Sequence, residues 1–264
     1  MTYRSVYIIM LLMTVSSAVA AQQPGRVYPA IPAMDGEGAE VLRLFPGKFV
    51  KHADPFILLD DFTVSPPVGF PTHKHIGFEA ITYMIEGSFV HKDNIGNNDT
   101  VYAGQAQRFT AGSGLLHSEM PGASAVNRGL QLWVNIPAAA KAAEPTYQLV
   151  ETLPVESADS TRIVRTIAGK GSVLQVHCGC DLSYLDIQLK KNTIVLTPES
   201  GYTSFVYVLD GMVQIHEHVV YAGNFYFLES GVPNTIIGDG VPRFVYLSAK
   251  PLNQKIKQRG PYVY

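Results

Sequence analysis

Only two cysteines occur in 264 residues, and they sit two apart, at Cys178 and Cys180. A multi-disulfide framework is thereby excluded, as is a zinc site closed by four thiolates, so a hydrophobic core must hold the fold. A bridge between the pair stays open in an oxidising compartment, but residues two apart on an extended strand fit disulfide geometry poorly. The expectation is two small strand residues, with His177 facing the other side. Charge is sparse as well: Asp, Glu, Lys and Arg make up 16% of the chain, the formal net charge is −2, and no basic tract appears. Nothing could neutralise a phosphate backbone, so no nucleic-acid partner is expected. Helical periodicity is scarce. Beyond the first twenty residues no run is long and apolar enough to span a bilayer, so no stable membrane insertion is expected of the mature protein.

Hydrophobic residues reach 47%, ample for a core. At the start, Arg4, the apolar run Val6 to Val15 and the small-x-small triplet Ala18-Val19-Ala20 read as a signal peptide over residues 1–20, with cleavage expected after Ala20. The run is too short for an anchor, and the expected location is periplasmic or secreted.

Period-two and β-branched runs recur at Ala80 to Val90, Tyr184 to Leu189, Thr193 to Leu196, Ser204 to Ile215, Asn224 to Leu228 and Arg243 to Ser248. Their spacing predicts an all-β antiparallel barrel or sandwich. The chain also repeats itself: Tyr83-Met84-Ile85-Glu86-Gly87 returns as Tyr207-Val208-Leu209-Asp210-Gly211, and Tyr102-Ala103-Gly104 as Tyr221-Ala222-Gly223. Two barrels in tandem follow, over residues 21–137 and 160–264, with the Ala-, Glu- and Pro-rich stretch 138–159 as a connector lacking strand alternation. The tail, Pro251 to Tyr264, is expected to pack back across the lobes.

The chemistry concentrates in two segments of the first barrel. In one, His73 and His75 stand two apart, so on a strand they share a face about 7 Å apart and can grip one ion. In the other, His117 and Glu119 repeat the spacing, both pairs being framed by glycine-rich turns. Three imidazoles and one carboxylate suit Fe, Mn, Ni, Cu, Co or Zn, and leave coordination positions for substrate or water. The second barrel acts as a control: the positions equivalent to His73 and His75 fall on Thr197 and Glu199, and His216 and His218 read as an exposed hairpin end.

The segments Asp54-Pro-Phe-Ile-Leu-Leu-Asp-Asp-Phe62, Gly69-Phe-Pro-Thr-His-Lys-His-Ile-Gly-Phe-Glu79, His117-Ser-Glu-Met-Pro121 and Gly129-Leu-Gln-Leu-Trp-Val-Asn135 resemble the pirin family, as do Pro251-Leu-Asn253 and Gly260-Pro-Tyr-Val263. The resemblance spans the mature chain. It implies a bicupin, two jelly-roll-like cupin barrels packed together, with one metal, usually Fe(II), in the N-terminal barrel only. The family's ligands fall on His73, His75, His117 and Glu119; Glu79 then becomes a carboxylate that orients a ligand imidazole. Several pirins are associated with quercetin 2,3-dioxygenase activity, which implies oxidative cleavage of a flavonol-like aromatic by O2, with Glu119 as ligand and base. Phe70, Phe78, Phe109 and Met120 are candidate pocket walls, and a monomer is expected. The competing reading is a metal-dependent redox-sensing or binding module without catalysis; a third is a different metal-assisted reaction such as isomerisation. Relatives described as nuclear transcription cofactors offer no model for an exported chain.

Overall fold

The structure, a computed structural model, describes residues 24–156, 161–190 and 193–264. The leader expected over residues 1–20, with its cleavage site, lies outside them. Among the described residues no helix is long and apolar enough to cross a membrane.

Nearly all of the regular secondary structure among the described residues is strand. In the N-terminal lobe a seven-stranded sheet runs in the order Thr146–Val150, Ala106–Thr110, Phe78–Glu86, Asn127–Asn135, Phe56–Val64, Ala39–Phe45 and Ile31–Asp35. Facing it is a four-stranded sheet ordered Phe70–His75, Leu115–Pro121, Ser88–Asp93 and Asn98–Tyr102. In the C-terminal lobe the strands Thr203–Ile215 and Asn234–Ala249 pair along most of their length and change register around Asp210, which lets one long ribbon serve both walls. Every strand run expected from the sequence is present. The short strand Thr193–Leu196 alternates exposed and buried residues, as a half-buried strand must.

The expected domain limits need correction at two places. Val27–Pro29, placed in the first lobe by the sequence, pairs with Asn224–Phe227 of the second. The connector is not strandless: Thr146–Val150 closes the edge of the seven-stranded sheet against Ala106–Thr110, and Val155–Glu156 pairs with Arg162–Ala168. Edge strands bury little, so their alternation is weak. The tail packs back onto the first lobe along its expected course, with Tyr262 bridging Ile76.

A single hydrophobic cluster joins the lobes, with Phe45 and Phe56 of the first packed edge-on against Phe205 of the second at 5.7 and 5.3 Å. Around it the repeat signature acquires a physical role. Tyr83 donates its hydroxyl to Asp186 of the other lobe at 2.6 Å, and Tyr207 donates in return to Asp61 at 2.9 Å. Each acceptor carboxylate is held by an arginine of its own lobe, Arg243 for Asp186 and Arg128 for Asp61. Two pseudo-equivalent polar locks therefore flank the shared core.

Cys178 and Cys180 depart from expectation. They lie in a bend rather than a strand and are joined to each other by a disulfide, both fully buried. A bend turns the two Cβ atoms toward each other, which an extended strand would not.

Candidate metal centre

The first ligand segment lies on Phe70–His75 and the second on Leu115–Pro121; the strands are antiparallel neighbours, with His117 directly across from His73 and Leu115 across from His75. Register slips between His117 and Glu119, so the second pair enters the barrel on a bulge. His73, His75 and His117 all point inward. Their Nε2 atoms converge, His73 to His75 at 2.8 Å and His73 to His117 at 3.1 Å.

What faces these nitrogens from behind decides their chemistry. His73 Nδ1 lies 2.7 Å from the Pro71 carbonyl and His75 Nδ1 lies 3.3 Å from the Pro261 carbonyl, and a carbonyl can only accept. Both rings therefore carry their proton on Nδ1 and present bare lone pairs at Nε2. Two lone pairs at 2.8 Å repel unless a cation lies between them. Ligands about 2.0–2.1 Å from one ion at right angles would be about 3 Å apart, so the spacing fits a shared transition metal. Protonation does not compete: burial, reinforced by His73, lowers the pKa of His75 to about 3, and burial with the neighbouring imidazoles pushes His117 well below the usual histidine range. Neutral imidazole is the ligand form.

Glu119 is buried beside this trio, and the four expected ligands do not fall into one tight group. Its carboxylate clusters with His117 and with His91, a residue the sequence reading did not single out, all three having ligand atoms within 4.8 Å of one another. Three donors hold it: Thr82 Oγ1 at 3.0 Å and Gln107 Nε2 at 2.5 Å on Oε1, and Gln131 Nε2 at 3.4 Å on Oε2. Burial raises its pKa, against the pull of His91, His73 and the Thr82 and Gln107 bonds. Those donors belong to a polar row running straight across the seven-stranded sheet, in which Arg43, Asp60, Gln131, Thr82 and Gln107 are successive cross-strand partners. No local sequence pattern marks such a row, because only register assembles it.

A cavity of about 570 Å³ opens onto His73, His75 and Glu119. Of the expected walls, Phe70 lines it; Phe62, Phe89, Leu58 and Trp133 are among the apolar residues that line it with Phe70. Phe62 and Phe89 stack at 4.9 Å with Phe70 edge-on to both. Phe78 and Phe109 do not line it. They are fully buried behind His75, with ring centroids 5.0 and 5.5 Å away, and fix that ring by packing. Met120 is half-buried against Gly69, away from the cavity wall.

Glu79 also needs correction. Its carboxylate accepts from Thr110 Oγ1 at 2.8 Å and from the backbone N–H of His177 at 2.9 Å, beside Arg108, and no hydrogen bond ties it to a ligand imidazole. The acceptors at the Nδ1 atoms of His73 and His75 are carbonyls, which leaves Glu79 to anchor the disulfide loop of the second lobe. In that lobe Thr197 and Glu199 are exposed beyond their strand, and His216 and His218 flank a hairpin turn.

Two family models match the sequence, "Pirin" over residues 38–134 and "Pirin C-terminal cupin domain" over residues 184–264. Pirin-like protein 2 of Arabidopsis thaliana is 35% identical over 258 residues, which takes in 87% of this chain and 75% of that protein. A quercetin 2,3-dioxygenase from Acinetobacter baumannii superposes with a TM-score of 0.82 at 28% identity, covering 92% of each chain. A bacterial pirin from Escherichia coli, solved in complex with nickel(II), gives a TM-score of 0.72 at 20% identity over 86% of this chain and 100% of that one, a likeness of fold.

Proposed function

This chain belongs to the pirin family of two-lobed cupins, and on that premise we propose that it is an exported metal-dependent oxidoreductase of the quercetin 2,3-dioxygenase type. One observation carries the reading: imidazole lone pairs face one another at the end of a cavity sized for a small molecule. Likeness to a quercetin 2,3-dioxygenase supports the reaction class. The signal-like leader and the Cys178–Cys180 disulfide, a bond of oxidising compartments, support export.

His73, His75 and His117 would hold the ion, with Glu119 as the fourth donor. A divalent first-row metal held there, Fe(II) being the family's usual choice, supplies Lewis acidity toward an enolic oxygen and the electron chemistry that dioxygen requires. Stacked Phe62 and Phe89, with Phe70 and Trp133, give a flat aromatic ring an apolar wall. Glu119 takes the enol proton, and burial, by raising its pKa, makes its carboxylate a stronger base for that transfer. Thr82, Gln107 and Gln131 keep its oxygens aimed during the transfer. The anion that results is the electron-rich species dioxygen attacks.

Purified protein, quercetin, oxygen and each added metal provide the test. Flavonol absorbance should fall with the wild type and stay constant with His75→Ala, and Glu119→Gln should abolish turnover and weaken metal retention without unfolding the barrel. Metal bound without turnover, for every first-row ion, would replace this reading with a redox-sensing or binding module. N-terminal sequencing of protein from its native compartment should begin at Ala21; a chain starting at Met1 refutes export with cleavage.

A further inference from the structure

His91 and Asp93 hold none of the roles assigned above, yet their surroundings define one. Both side chains are sealed from solvent, with His91 Nε2 3.0 Å from Asp93 Oδ2. The Asp93 carboxylate is clamped by the turn that follows it: Oδ1 accepts the backbone N–H groups of Ile95 at 3.0 Å and Asn97 at 2.9 Å, and Oδ2 accepts Asn97 Nδ2 at 2.8 Å. So held, Oδ2 offers His91 only an acceptor, and the ring must place its proton on Nε2. A neutral imidazole has one N–H, which leaves His91 Nδ1 bare. That atom faces His117 Nδ1 at 3.5 Å, so His117 must be the donor. With its proton on Nδ1, His117 turns the lone pair of Nε2 toward His73. Stacking on Tyr147, ring centroids 4.5 Å apart at 20°, keeps the His91 ring from rotating out of line.

We infer that Asp93 and His91 are positioning residues, a buried relay that sets the tautomer of His117 so that its Nε2 lone pair faces the metal. The inference deepens the metal-centre reading and rests on it. Neither residue touches ion or substrate; both act through His117. Imidazole ligands commonly have such a partner behind them, and here it is one ring longer, with a histidine between carboxylate and ligand.

Asp93→Asn isolates the effect. The amide keeps the shape and its oxygen can still accept the two backbone N–H groups, which places an NH₂ where Oδ2 stood. A donor there forces His91 to carry its proton on Nδ1, so His117 must accept at Nδ1 and hold its own proton on Nε2. One of the three lone pairs is lost while the fold stays. Two readouts follow, neither requiring turnover. Nitrogen-15 NMR of the metal-free protein should show His117 protonated on Nδ1 in the wild type and on Nε2 in the variant. Titration with Co(II) alone, followed by its visible absorption, should show binding weaker by about 10–100-fold. His91→Phe keeps a ring against Tyr147 but imposes no tautomer, so it should give mixed His117 tautomers and a smaller Co(II) loss than Asp93→Asn. Wild-type tautomer and affinity in Asp93→Asn would overturn the relay. So would a larger loss in His91→Phe than in Asp93→Asn, since His91 would then be a ligand. Should Asp93→Asn fail to fold, a single unchanged His117 tautomer in His91→Phe overturns it instead. If the wild type binds no Co(II), the metal reading falls, and the NMR still decides whether the relay exists.

Discussion

Replacing Gly77 by alanine should peel the C-terminal tail away from the metal end of the first lobe. Gly77 has φ +79°, a conformation that costs an L-residue about 1–2 kcal/mol. The larger effect is steric, because a Cβ there would lie 1.9 Å from the backbone oxygen of Val263 and 3.1 Å from its carbonyl carbon. Backbone cannot swing aside like a side chain, so either the turn or the tail must move. The turn is tied by Gly77 N–H to the Gly112 carbonyl at 2.9 Å and by Lys141 Nζ to the Gly77 carbonyl at 2.6 Å, and it leads directly into fully buried Phe78 and Glu79. The tail is held more lightly. Its Val263 N–H donates to the Ile76 carbonyl at 2.9 Å, worth about 1 kcal/mol, and the Val263 side chain is buried, worth about 1.5–3 kcal/mol. The tail therefore yields, at a total cost near 4–6 kcal/mol with the backbone strain included. His75 then loses the Pro261 carbonyl that fixes its tautomer. Trypsin with mass spectrometry reads the result, since Lys255, Lys257 and Arg259 are exposed but protected while the tail is docked. Gly77→Ala should be nicked there far faster than wild type. Gly96→Ala is the control: φ is +106° and nothing lies within 4 Å of its Cβ, so it carries backbone strain without the clash. Equal tail cleavage in wild type and both variants would refute the reasoning.

The polar locks predict that Tyr83→Phe and Tyr207→Phe each cost about 1.5–3 kcal/mol, the range for a hydrogen bond to a buried charge. The double variant should lose their sum, read from urea midpoints at unchanged slope; a loss under about 0.5 kcal/mol for either would dissolve that lock. Asp60 predicts a pH dependence. Burial raises its pKa to about 6 against the opposing pull of Arg43, so the folded state holds its proton where the unfolded chain has released it. Its contribution to stability is complete below pH 4 and is lost as pH rises through 6. Against Asp60→Asn, the wild type should therefore lose up to about 3 kcal/mol of relative stability between pH 4 and 7, and a flat difference would refute the assignment.

The all-β class, the duplication and the inward face shared by His73, His75 and His117 were legible in the sequence because each rests on short-range periodicity. His91 was not, although His91 and Asp93 repeat the same two-residue spacing as the ligand pairs. The expected strand stopped at Val90, one residue short, whereas Ser88–Asp93 continues to the turn. The row from Arg43 to Gln107 was hidden for a deeper reason: its members come from five strands, and each is an isolated polar residue until register aligns them. The cysteines misled because strand geometry was assumed for a segment that bends. The tail was expected to cross back on account of its tyrosines, yet its grip is Pro261 and Val263, and Tyr264 is 54% exposed.

These departures share a direction. Having no histidine where the first lobe has His73 and His75, the second lobe still contributes to that lobe's centre at three points. Its tail provides the carbonyl behind His75, its disulfide loop provides the His177 N–H that both oxygens of buried Glu79 accept, and its Asp186 anchors Tyr83 of the repeat signature. None of these uses a cavity of its own. A duplicated barrel without ligands can persist on such terms, because removing it would strip a buried imidazole of its acceptor and a buried carboxylate of one of its donors, each costing about 1–3 kcal/mol. The N-terminal lobe is therefore incomplete as a candidate metal centre when considered alone: the candidate ligands are its own, but part of what orients them, the carbonyl behind His75, belongs to its neighbour.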